Sequence, residues 1–203
     1  LASCRPVCVC RPGTTADVVA LVRAALDARF PIVPRGGGTG LEGGCIPSEG
    51  AVVADLSGLD AVARFAPEER FIEVGPGMVN DRLNRLVGGA GLFFPPSPGG
   101  SGDGATVGGM VSTDASGLLA FGYGSTRRWV ASIEAVTGAG EVLRAGSRVP
   151  KSSAGYDLKD LIVGSEGTLA IVTSVGLRLA PLPLAMARAA YLFDTLAGAC
   201  EAA

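Results

Sequence analysis

Apolar and polar positions along the first ninety residues repeat with two different periods. Val7 to Cys10 is a short apolar run of strand type. Thr14-Thr15-Ala16-Asp17 then supplies a helix start, and Val18, Val19, Leu21, Val22, Ala25 and Leu26 fall on one helical stripe. Pro31 is expected to end that helix, with Ile32 and Val33 as a buried strand. Ala51 to Leu56, Ala61 to Phe65 and Phe71 to Val74 predict three further strands, and Met78 to Leu86 a second amphipathic helix. The predicted order is β-α-β-β-β-β-α.

The second half is punctuated differently. Between Phe93 and Gly104 stand Pro95, Pro96, Pro98, Gly99, Gly100, Gly102 and Gly104, a stretch that neither a helix nor a central strand absorbs, so a long loop or linker is expected. Ser132 to Thr137 and Glu141 to Ala145 flank Gly138-Ala139-Gly140 as a hairpin, and Thr168 to Leu179 alternates as one long strand. Pro181 and Pro183 close this region, and residues 184 to 203 read as the start of something new, cut off at Ala203.

Composition narrows the class. The 203 residues suit one generous domain or two small lobes sharing a core. With 48% hydrophobic and 18% charged residues the chain is folded rather than disordered. No apolar run approaches the roughly 18 to 20 residues of a spanning helix, so no membrane span is expected. The net charge of −2 is scattered without blocks of one sign, which argues against a nucleic-acid partner. Five cysteines at 4, 8, 10, 45 and 200 match neither a paired metal site nor a disulfide framework, which points to a reducing cytoplasm and no metal. Cys8 and Cys10 share one side of a strand and are expected as small core residues.

Three of the chain's glycine-rich stretches carry the candidate chemistry. The first, Arg35-Gly36-Gly37-Gly38-Thr39-Gly40-Leu41-Glu42-Gly43-Gly44, contains G-x-G-x-x-G after a strand, yet Gly44, Pro47 and Gly50 refuse the helix a Rossmann site requires. None of the clusters has the lysine of a phosphate-binding P-loop. What remains is a run of unshielded amides able to hold an anion, with Arg35 at its entrance; a tight exposed turn is the plainer reading of one isolated cluster. The second runs from Ala105 to Gly117, rich in small and hydroxyl residues. The third, Gly164-Ser165-Glu166-Gly167-Thr168, feeds the strand Leu169 to Val172, whose edge amides could meet polar ring atoms.

In this order Pro34-Arg35-Gly36-Gly37-Gly38-Thr39-Gly40-Leu41, Phe94-Pro95-Pro96-Ser97-Pro98, Ala105 to Gly117, Tyr123-Gly124 and Gly164 to Thr173 resemble the FAD-binding (PCMH-type) domain of the vanillyl-alcohol-oxidase-type flavoproteins. Within that superfamily the chain is most similar to the glycolate oxidase FAD subunit, D-lactate dehydrogenase and D-2-hydroxyglutarate dehydrogenase group. The resemblance implies an α+β, two-lobed fold with FAD between the lobes: residues 1–90 as the first lobe, 91–182 as the second, and 183–203 as the start of a truncated C-terminal substrate domain. It implies that Arg35, Gly36, Gly37, Gly38, Thr39, Gly40 and Leu41 hold the pyrophosphate. Pro98, Thr106, Gly109, Thr113, Ala115, Ser116 and Gly117 would line the dinucleotide's path, and Glu166, Gly167, Ile171 and Val172 would complete it. Relatives that attach FAD through the first loop carry histidine where this chain has Thr39, and the chain has no histidine, so noncovalent FAD is expected. Asp114 departs from the group's usual asparagine and would repel a nearby phosphate.

The resemblance implies oxidation of a D-2-hydroxy acid by hydride transfer to the flavin, with electrons passed on to an acceptor or redox subunit. The substrate and metal residues of the resembling enzymes lie in the later domain, so this chain is expected to hold the cofactor and no catalytic residue. A flavin-binding subunit or vestigial module serving assembly or electron relay is the alternative, and a sugar-nucleotide reductase of the same fold fits the motifs less well. Lys151, Tyr156, Asp157 and Lys159 are read as structural, with Tyr156 buried against a partner. Arg127 and Arg128 are read as a surface pair or domain contact.

Overall fold

The first apolar run forms strand β1 (Cys8–Cys10) and the helical stripe behind it forms α1 (Thr15–Ala28) in the computed structural model, which describes residues 4–99, 103–149, 151, 153–187 and 189–202. Thr14 caps α1 by accepting the Asp17 amide at 3.1 Å. The helix stops ahead of Pro31, because Arg29 turns left-handed and donates its N–H back to Ala25 and Leu26. The chain then enters β2 (Ile32–Arg35) and, after the first glycine loop, β3 (Val52–Asp55). These form a small parallel sheet in the order β1-β3-β2.

Two strands, β4 (Val62–Ala66) and β5 (Phe71–Val74), make a hairpin closed by a 3₁₀ turn over Pro67–Glu69. They are followed by α2 (Asn80–Gly88), the short β6 (Leu92–Phe93), α3 (Val107–Thr113) and α4 (Ala120–Tyr123). The long strand β7 (Val130–Thr137) turns into β8 (Val142–Gly146) as the predicted hairpin. Next come α5 (Leu158–Ile162), β9 (Ala170–Arg178), β10 (Ala180–Pro181) and α6 (Leu196–Ala202). An antiparallel five-stranded sheet has the order β4-β5-β9-β7-β8, and β10 pairs with β6 beside it. Helices and mixed sheets together make the expected α+β class.

The change from one sheet to the other falls between β3 and β4. Residues 62–88, expected in the first lobe with a boundary at 90, instead join the second: β5 pairs with β9, and α2 packs in the core of the larger sheet. A hydrophobic pattern identifies strands but not their partners, and the β5 register, Phe71 opposite Arg178 and Val74 opposite Val175, is a long-range choice.

Both faces of the large sheet are covered. Period-two alternation sends Val136 and Ile171 towards α1, where they join Val18, Val22, Ala54 and Leu56. Their neighbours Ala135 and Val172 face the opposite core with Leu83, Val107, Met110, Val111 and Phe94. Glu134 ties α1 to this sheet. Its carboxylate accepts from the Thr15 hydroxyl at 2.8 Å, the Thr173 hydroxyl at 3.2 Å and Arg144 Nε at 2.9 Å.

Cys8 and Cys10 are not core residues. β1 is an edge strand with little cover, Val9 beside them is 61% exposed, and the two sulfurs lie 3.8 Å apart near the surface. Residues 100–102 of the expected proline-glycine loop lie outside the described residues.

Candidate functional site

The three glycine clusters converge on α3. At Gly37 an added Cβ would lie 1.7 Å from the Gly104 carbonyl oxygen, and at Gly36 it would lie 2.2 Å from Thr106 Oγ1. The Gly37 amide also donates to Thr106 Oγ1 at 3.4 Å. Only glycine allows the first loop to lie this close to the segment leading into α3. The third cluster grips the other end of the helix: Gly164 N–H donates to Val111 O at 3.0 Å and Glu166 N–H to Ser112 O at 2.8 Å. Gly167, left-handed at φ +77°, presses against Pro34 at the base of the first loop.

A fourth segment joins from below. Gly117 has φ +153°, and a Cβ there would sit 1.7 Å from the Ser97 carbonyl oxygen, so Ser97-Pro98 is seated on the end of the second cluster. Two asparagines position that segment. Asn84 accepts the Phe94 amide at 2.8 Å and donates to Phe94 O at 3.4 Å, and Asn80 donates to Pro96 O at 3.4 Å. Asn80 is almost fully buried, and its place on α2 carries the proline run towards the site. Sequence reading took α2 only as an amphipathic helix. Asparagine at two helix positions one turn apart was the available signal, since asparagine is a mediocre helix former.

The first loop offers an anion site. Among the described residues, the amides of Gly38, Thr39, Gly40 and Leu41 donate to no protein acceptor. Four consecutive unsatisfied N–H groups on an exposed loop suit a ligand rich in acceptor oxygens. Arg35 folds over Gly38, and among the described residues it makes no ion pair, its one side-chain hydrogen bond being the 3.9 Å approach to Cys45 Sγ. Its charge is therefore available to balance phosphate.

The start of β9 supplies an open backbone edge. β7 lies along β9 from Thr137 opposite Ala170 to Val130 opposite Leu177, whereas β5 reaches only from Phe71 opposite Arg178 to Val74 opposite Val175, so along 170–174 one edge of β9 has no strand beside it among the described residues. Ile171 and Val172 therefore stand near the site by backbone alone, since their side chains are buried in the two cores. Thr106 is likewise buried and serves as a clip for the first loop. Gly109, Thr113, Ala115 and Ser116 follow along α3 and its exit. The Thr113 hydroxyl donates to Gly109 O at 3.0 Å, and Ala115 O accepts from both the amide and the hydroxyl of Thr126. Ser116 and Glu166 are exposed, Glu166 in left-handed geometry at φ +53°.

Asp114 does not face the site with a bare charge. It ends α3 in left-handed geometry, accepts Arg127 N–H at 2.9 Å and Arg127 Nε at 3.1 Å. Burial alone would raise its pKa, but the Arg127 backbone and side chain and the Ser125 hydroxyl hold it below the ordinary carboxylate value. Arg127 also donates to the carbonyls of Asp160 and Val163, so it is the hub joining α3 to α5 rather than a surface residue. Tyr156, expected to be buried, is 95% exposed. Its neighbour Lys159 is half-buried and pairs with Asp157 and Asp160.

The match to known proteins follows this geometry. A model of the FAD binding domain matches residues 6–146. The chain belongs to the FAD binding domain family. It is 38% identical over 188 residues to a D-lactate dehydrogenase of Archaeoglobus fulgidus, covering 93% of this chain and 42% of that protein. Against the glycolate oxidase subunit GlcD of Bacillus subtilis it is 36% identical, covering 97% and 42%, and against a D-2-hydroxyglutarate dehydrogenase of Xanthomonas citri 37% identical, covering 88% and 38%. The solved structure of an alkyldihydroxyacetonephosphate synthase superposes with a TM-score of 0.76 at 26% identity, over 87% of this chain and 32% of that one. The chain thus spans well under half the length of these relatives. The FAD-binding domain has no helix long and apolar enough to cross a membrane among the described residues.

Proposed function

We propose that this domain holds FAD noncovalently for an oxidoreductase that takes hydride from a D-2-hydroxy acid such as D-lactate, or from the achiral 2-hydroxy acid glycolate. The single observation that carries the reading is the run of four free amides from Gly38 to Leu41, seated beside Arg35 and backed by glycine-only contacts. In this reading the Gly38–Leu41 amides and the Arg35 guanidinium bind the pyrophosphate. The exposed backbone around Ser116 and Gly117, together with Pro98, borders the dinucleotide, and the open edge at 170–174 with Glu166 and Gly167 borders its far end. Thr39 offers no imidazole for a covalent bond.

Bound FAD supplies the hydride acceptor. The chain's own residues bind it, orient it and cover part of it. The base for the hydroxyl proton and the cation for the substrate carboxylate are assigned to the remainder of a longer protein, as are the contacts to an electron acceptor or redox subunit. The five free thiols support a reducing, cytoplasmic setting.

The test of the reaction is dye reduction by the longer protein containing this domain. Reduction of an artificial acceptor with glycolate or D-lactate, and none with the L-lactate enantiomer, is the expected result. Bound FAD without reduction by any D-2-hydroxy acid would favour a flavin-binding subunit that serves assembly or electron relay.

A further inference from the structure

A cavity of about 660 Å³ opens at the opposite end of the large sheet from the glycine loops. Arg178, in its wall, stands eight residues beyond Ala170 on β9, or roughly 26 Å at about 3.3 Å per residue. None of the residues proposed to hold FAD lines it. Its size is that of a small-molecule site.

Four arginines line the wall, Arg70, Arg128, Arg148 and Arg178, against one acidic residue, Glu69. Glu69 is already engaged by Arg64 at 2.9 Å and Arg148 at 3.3 Å. Arg70, Arg128 and Arg178 form no ion pair among the described residues, and Arg178 spends one N–H on the Val149 carbonyl at 3.3 Å. Four arginines against one already paired carboxylate leave the wall net positive, which favours an anion. Guanidinium forks suit phosphate in particular.

The rest of the wall is largely apolar, with rings from Phe71, Tyr123 and Trp129. Trp129 donates its indole N–H to Tyr123 O at 2.9 Å, and Tyr123 meets Phe93 edge-on with centroids 5.4 Å apart, so these rings are held in place. The Arg148 guanidinium lies 5.7 Å from the centroid of Phe71. A planar ring entering the cavity finds aromatic surface beside cationic forks.

We infer that this cavity is a second binding site, for a phosphorylated small molecule with a planar ring, the mononucleotide class. Trp129 is the only tryptophan of the chain and lines the cavity, so its fluorescence reports occupancy. ADP is the probe, with pyrophosphate as the ringless control. Saturable quenching by ADP with half-saturation below about 1 mM is expected. Arg128→Gln and Arg178→Gln should each weaken it about tenfold, and pyrophosphate should bind about tenfold more weakly than ADP. Arg35→Ala, in the first glycine loop, should leave the ADP response intact. Should R178Q not fold, R128Q carries the test, because Arg128 is exposed and makes no side-chain bond among the described residues. Absence of saturable quenching, an unchanged affinity in R128Q, equal binding of pyrophosphate, or loss of the response in R35A would each overturn the inference. The last result would place ADP in the glycine loops.

Discussion

Asp114 and Arg127 are joined twice, backbone amide to carboxylate at 2.9 Å and guanidinium Nε to carboxylate at 3.1 Å. This pair decides how a carboxylate can stand at the exit of α3 without opposing a dinucleotide. Its charge is spent on Arg127, which in turn holds the last turn of α5 through the Asp160 and Val163 carbonyls. Arg127→Ala is expected to destabilise the fold by about 1–3 kcal/mol, read as a lower denaturant midpoint, because it strands a half-buried carboxylate and two carbonyls. Asp114→Asn, which keeps an acceptor, should cost less.

Acid should act through the same carboxylates. Asp114 and Glu134 both have pKa values lowered in the folded protein: burial opposes this, but for Asp114 the Arg127 and Ser125 donors outweigh it, and for Glu134 those of Thr15, Arg144 and Thr173. A depressed carboxylate contributes stability that is full above its unfolded value of about 4 and is lost as pH falls through the folded value. Urea midpoints should therefore fall below about pH 4 more steeply in the native sequence than in Glu134→Gln. Parallel pH profiles for the two would contradict the assignment.

Two glycines of the first loop separate packing from ligand binding. Gly37→Ala drives a Cβ into the Gly104 carbonyl and should cost both stability and FAD retention. Gly40→Ala meets no atom within 4 Å and lies outside the left-handed region, so thermal stability should change by less than about 0.5 kcal/mol. If the free amides of 38–41 face the cofactor, G40A should still weaken FAD binding, which a titration followed by flavin fluorescence reads directly.

The sequence pattern located most of the strands and both amphipathic helices, because periodicity and caps such as Thr14 are local. It missed α3, whose residues Val107-Gly108-Gly109-Met110-Val111 look like loop by composition. Gly108 is there because Pro76 leaves no room for a Cβ, a tertiary reason invisible along the chain. The partner of β5 was equally hidden, which displaced the expected lobe boundary. The loops singled out by motif order are the ones that meet around α3. Motif order did not distinguish residues offering backbone, such as Ile171 and Val172, from those offering side chains; it left Asn80 and Asn84 unread and gave Arg127 only as a surface pair or domain contact, since their roles lie in contacts made across the fold.

Arg35 is the side chain on which charge neutralisation rests. Arg35→Ala removes a cation without an ion pair among the described residues, so the unfolding midpoint should hardly move while the dissociation constant for FAD rises about tenfold or more. A large loss of stability with unchanged FAD affinity would give Arg35 a purely structural role.

The most direct measurement is the visible spectrum of the purified domain after incubation with FAD and removal of the excess by gel filtration, repeated on the supernatant of acid precipitation. The account predicts a flavin band that stays with the protein through the column and passes wholly into the acid supernatant. A flavin band that remained with the precipitate would contradict noncovalent binding, and a column fraction without flavin would contradict the site itself.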